Sequence, residues 1–108
     1  GNNKADMALA ANTLIKAGGG LAAVKNEKVL SLVELPIAGL LSDKRMDEIA
    51  QKIIAFAKTL KDMGLNHKEP VMLLTILALA VSPEAKITDL GLVDVVNKQF
   101  LDLIICEK

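Results

Sequence analysis

Aromatic side chains are nearly missing from this sequence. It has no Trp, no Tyr and only Phe56 and Phe100, so it offers no stacking platform for bases and its core must be aliphatic. Net charge is missing too. Thirteen basic residues offset thirteen acidic ones, which removes the electrostatic pull toward nucleic acid or an anionic membrane surface. Cysteine is reduced to Cys106 and histidine to His67. One thiol closes no internal disulfide, and one thiol with one histidine makes no zinc site; a reducing cytoplasm is the expected location. The longest apolar run, residues 71–81, is about half the ~20 residues a membrane helix requires. No basic-then-apolar signal segment opens the chain. It begins on Gly1 rather than Met and almost inside a helix, as expected of an excised or processed piece.

What is present is aliphatic. Apolar residues make up 52% of 108, enough for one domain, residues 1–108, with its own core. Asn3 and Asp6 mark a helix start and Gly18 its stop, with Met7, Ala11, Leu14 and Ile15 at helical spacing between them. Leu21 to Val24 and Val29 to Leu35 read as two strands of a hairpin around Lys25-Asn26-Glu27-Lys28. Met46, Ile49, Ile53, Phe56, Leu60 and Met63 form the clearest helical stripe, capped by Ser42 or Asp43 and ended by Gly64. That stripe is wide enough to lie on a sheet, so it is read as core rather than as a partner groove. Period does not separate strand from helix for "VMLLTILALAV"; Pro70 and Pro83 bound it to strand-like length, and a strand is expected. "LVDVV" and "FLDLII" read as two further strands around Asn97-Lys98. The expected class is α+β, a two-layer domain with helices packed on one face of a mostly antiparallel sheet.

Few residues offer chemistry. Gly18-Gly19-Gly20 follows a helix and precedes a strand, whereas a phosphate cradle needs glycines before a helix. Asp89, Asp94, Asp102 and Glu84 lack the dense spacing of a calcium loop. Alternation sends Asp94 and Asp102 to solvent, and Asp89 before Leu90-Gly91 suits a turn. His67 lies in the polar loop "GLNHKEP", and Cys106 after Ile104-Ile105 reads as a small apolar filler. No nucleophile with a base can be argued. No residue is assigned a catalytic, cofactor-binding or metal-ligating role.

Three stretches resemble, in order and spacing, the C-terminal domain of adenine deaminase, within the amidohydrolase superfamily. They are "GNNKADMALAANTLIKAGGG", "VKNEKVLSLVELPIAGLLSD" and "EAKITDLGLVDV". Gly1-Asn2-Asn3 with Asp6-Met7-Ala8, the triple glycine, Leu35 to Leu40 with Ser42, and Thr88-Asp89 with Gly91, Val93 and Asp94 carry it in combination. The resemblance implies a parent enzyme of purine salvage that hydrolyses adenine to hypoxanthine and ammonia. It further implies a (β/α) barrel, absent from this chain, whose His and Asp/Glu ligands hold a divalent metal such as manganese, iron or zinc. Such an ion lowers the pKa of bound water so that hydroxide can attack C6 of the purine. The barrel is the implied partner, with a homo-oligomer as a further setting, and this fragment alone is expected to be inactive.

The sequence departs from the family where "TILALAVSP" has Ile76 in place of Phe and Ala80 in place of Pro, and where Asn26-Glu27 replaces Asp-Gly. The segment 34–42, "ELPIAGLLS", reads as a corner: Pro36 and Gly39 redirect the chain, Leu35, Ile37, Leu40 and Leu41 bury, and Ser42 caps the next helix. A loop of that build could instead face the barrel mouth, as could residues 82–91. The rival class is an independent small-molecule-binding or regulatory module, with Gly18–Gly20 and Thr88-Asp89 forming its pocket.

Overall fold

The structure is a computed structural model and describes residues 3–102. The chain gathers into two compact units, Gly1–Val71 and Met72–Lys108.

The first unit holds α1 (Lys4–Ala17), β1 (Gly20–Lys25), β2 (Lys28–Glu34) and α2 (Met46–Asp62). Asn3 caps α1 as expected: its Oδ1 accepts from the amides of Ala5 and Asp6 at 2.9 and 3.3 Å. Gly18 closes the helix in the left-handed region at φ 77°. The hairpin pairs β1 with β2 from Gly20–Glu34 to Lys25–Lys28, with an irregularity at Ala23/Val24. Helix α1 lies chiefly along β1, and α2 along β2. Ala23, Val33, Phe56 and Leu60 are the buried apolar core. Leu21 opposes Val33, and two residues on from Leu21, Ala23 returns to that same sheet face.

Helix α3 (Pro70–Ala78) runs from the end of the first unit into the second. It corrects the strand expected over residues 71–81. Proline is at home in the first turn of a helix, where its missing N–H would be unpaired anyway. Met72, Leu73, Leu74, Leu77 and Ala78 all favour helix. Its last carbonyls are satisfied from beyond the helix. Ser82 Oγ donates to Ile76 O at 2.7 Å and Lys86 Nζ donates to Leu77 O at 3.3 Å.

The second unit continues with an antiparallel sheet of β3 (Ala85–Thr88), β4 (Gly91–Asp94) and β5 (Gln99–Leu101), in that order. The α+β class holds, and the strands divide between two small antiparallel sheets. Strand β3 was not expected because its alternation is inverted: Lys86 and Thr88 are half-buried while Ile87 is exposed. The expected strand 100–105 is described only to Leu101; residues 103–105 and Cys106 lie outside the described residues.

Candidate interface

The segment after β2 is held by backbone contacts. Gly19 O accepts from Leu35 N at 3.0 Å. A Cβ on Gly19 would lie 2.6 Å from Gly39 Cα, so the two backbone segments approach this closely only because glycine stands there. Ala38 and Gly39 turn through the left-handed region at φ 55° and 73°. Ile37 N donates to Leu41 O, while the amides of Leu40 and Leu41 donate to Ile37 O, each at 3.1 Å. Three backbone hydrogen bonds thus close the loop on itself.

Because the backbone closes on itself, the side chains are free to project outward. Ile37, Leu40 and Leu41 are exposed, the last two by 72% and 63%, and only Leu35 is half-buried. This corrects the expectation that all four bury. Ser42 does not cap α2 either. Its Oγ accepts from Lys44 N at 3.2 Å within the bend, and Arg45 occupies the N-cap position with no side-chain cap.

Helix α2 meets this loop because it overhangs the hairpin. Lys52 Nζ pairs with Glu34 Oε2 at 3.4 Å, at the last residue of β2. Beyond that point the apolar stripe changes character. Phe56 and Leu60 are buried, Ile49 and Ile53 half-buried, and Met46 is 86% exposed. The stripe read as core is buried only at Phe56 and Leu60, and Ile54 and Met63 are exposed as well. Its N-terminal half and the loop enclose an open cleft of ≈ 430 Å³, lined by Leu35, Leu40, Leu41, Met46, Ile49 and Ile53. Charges beside it pair locally, Lys44 with Glu48 at 3.4 Å and Arg45 with Asp47 at 3.1 Å. Ser42 and Lys44 also line the cleft, the one bonded to a backbone amide and the other paired with Glu48, and such a surface suits an apolar neighbour.

The remaining candidates serve local structure. A Cβ on Gly20 would lie 2.0 Å from Val33 O, so the triple glycine lets backbones meet; it does not cradle an anion. His67 Nδ1 accepts from Glu69 N at 3.1 Å in its exposed loop. Thr88 Oγ1 donates to Gly91 O at 2.9 Å and accepts from Leu90 N at 3.2 Å, closing the turn that contains Asp89. Glu84 and Asp102 are exposed, and Glu84 O accepts from Val95 N at 2.9 Å. Asp94 in β4 takes hydrogen bonds from the backbone amide and side-chain Nδ2 of Asn97 at 2.9 and 2.7 Å. The Asn97 amide, then its side chain, hold the Asp94 carboxyl below its ordinary 3.8. Among the described residues no three His, Cys, Asp or Glu side chains come together to hold a metal ion. The described residues thus offer no set that fits the divalent ion, which the resemblance assigns to the barrel and not to this chain. Within the second unit an apolar hollow of ≈ 510 Å³ is lined by Ala80, Val81, Val93, Val95, Gln99 and Phe100, with Lys98 at its edge.

Two features escaped the sequence reading. The overhang of α2 depends on where Lys52 meets Glu34, and no local pattern encodes that. Asp6 sits where a capping acid belongs, yet its carboxylate accepts from the amides of Asn26 and Glu27 at 3.1 and 2.7 Å. The strained Asn-Glu turn was the available signal, since it needs a partner to hold it.

Known proteins resemble this chain over nearly its whole length. The chain is 46% identical over all 108 residues to adenine deaminase 2 of Shouchella clausii, covering 19% of that protein. It is 44% identical over 104 residues to adenine deaminase of Moorella thermoacetica, or 96% of this chain and 17% of the relative. It is 48% identical over 103 residues to adenine deaminase of Bdellovibrio bacteriovorus, or 95% of this chain and 18% of the relative. The chain therefore spans less than a fifth of the length of these curated relatives. The family described as "Adenine deaminase C-terminal domain" matches residues 1–99. On that match and these identities, the chain belongs to the adenine deaminase C-terminal domain family.

Proposed function

We propose that residues 1–108 work as one non-catalytic domain of a longer adenine deaminase. That enzyme replaces the C6 amino group of adenine with oxygen from water, giving hypoxanthine and ammonia, in cytoplasmic purine salvage. The observation that carries this reading is the family match over residues 1–99, together with a chain less than a fifth the length of its relatives. A divalent metal, manganese, iron or zinc, belongs to a catalytic barrel elsewhere in that chain. The domain packs on that barrel or between subunits of a homo-oligomer.

Deleting residues 1–108 from the full-length enzyme tests the structural role. The expected result is a lower melting temperature with metal content per folded barrel unchanged. Loss of stoichiometric metal from a barrel that stays folded would contradict it. The rival small-molecule module draws no support from Gly18–Gly20 or Thr88, whose backbone or hydroxyl groups are engaged in local structure.

A further inference from the structure

We infer that the cleft between the 35–42 loop and the N-terminal half of α2 is the face on which this domain receives the polypeptide preceding it in the longer enzyme. The inference rests on the domain reading above and deepens it. Three large apolar side chains, Leu40, Leu41 and Met46, stand 72%, 63% and 86% exposed around half-buried Leu35, Ile49 and Ile53. Side chains of this size left in water forgo the free energy of burying them.

Drying this face would orphan little. The amides of Ile37, Leu40 and Leu41 bond carbonyls within the loop, and Lys44, Arg45 and Lys52 are each paired with a carboxylate. The loop is also held in place before any partner arrives, by Gly19 against Gly39, so docking loses little conformational entropy.

The occupant follows from chain length and patch size. More than four-fifths of each relative lies outside the matched region, and the matched family is a C-terminal domain, so the missing polypeptide comes before it. The cleft, lined by nine residues, is small beside the roughly 20–30 residues a side of a stable dimer interface. It suits an interface within one chain, where tethering supplies an effective concentration in the millimolar range. The partner surface is an uncharged aliphatic strip on the preceding catalytic portion.

Met46 reports directly on this face. Dilute peroxide converts an accessible thioether to its sulfoxide, and peptide mass spectrometry gives the rate at each methionine of the full-length enzyme. The expected result is a Met46 rate at least about tenfold below that in the urea-unfolded chain, restored by Leu41→Lys. Protection should persist when the enzyme is diluted to monomers. A Met46 rate close to the unfolded rate would overturn the inference. Slow oxidation at Met7 alongside it would leave the domain reading standing with a different docking face. Fast oxidation at both would remove support from the domain reading as well. Protection that vanishes on dilution would make a second copy the occupant and would equally overturn the inference.

Discussion

Glu27 sits at φ 58° beside Asn26 at φ 53°, in a two-residue hairpin turn whose second position normally demands glycine. The Asp6 carboxylate holds both amides from α1, so one side chain ties the helix to the hairpin and sustains the unfavourable turn. Glu27→Gly relieves a left-handed penalty of about 1–2 kcal/mol and returns part of it as backbone entropy. Urea unfolding should show a net gain of about 0.5–1 kcal/mol. Asp6→Ala leaves two amides without their charged acceptor and should cost about 1–3 kcal/mol by the same measurement. Asp94 gives a pH prediction. Its lowered pKa means that the folded state favours the carboxylate. The resulting stabilisation is present above the ordinary 3.8 and is lost as pH falls through the depressed folded value. Carbon-detected NMR titration should place Asp94 below 3.8, and Asn97→Ala should bring it part of the way back by removing the side-chain bond.

Among the elements, the glycines separate steric need from backbone strain. At Gly20 a Cβ would meet Val33 O at 2.0 Å with φ 134°, so Gly20→Ala should cost about 3 kcal/mol or more. Gly39 has open space around its Cβ position at φ 73°, and Gly39→Asn should cost less than about 1 kcal/mol. Arg45 stands where α2 wants an acceptor; Arg45→Ser should stabilise by about 0.5 kcal/mol in thermal or urea unfolding, the cap outweighing the lost exposed pair with Asp47. These elements were unevenly legible. Helix α1, the hairpin and α2 could be read because Asn3, Gly18, the Asn26-Glu27 turn and the Met46–Met63 stripe each carry a local physical signal. For α3 the flanking prolines misled, since Pro70 begins a helix as readily as it ends a strand. Strand β3 hid behind an outward-facing Ile87. The candidate face was half visible: residues 34–42 stood out by composition, but burial depends on which part of α2 overhangs β2, a tertiary fact.

At the scale of the whole molecule, a chain with one histidine and one cysteine has few residues for catalysis and many for packing. Its apolar side chains build a small core around Val33 and Phe56 and leave a further set open beside the 35–42 loop. In the proposed enzyme this domain contributes surface and stability, and the preceding polypeptide contributes metal and turnover. Ammonia release from adenine, measured on purified residues 1–108 and on the full-length enzyme under the same supply of divalent metal, tests that division most directly. The account predicts turnover by the full-length enzyme and none by the 108 residues. Ammonia produced by the 108 residues alone would contradict it.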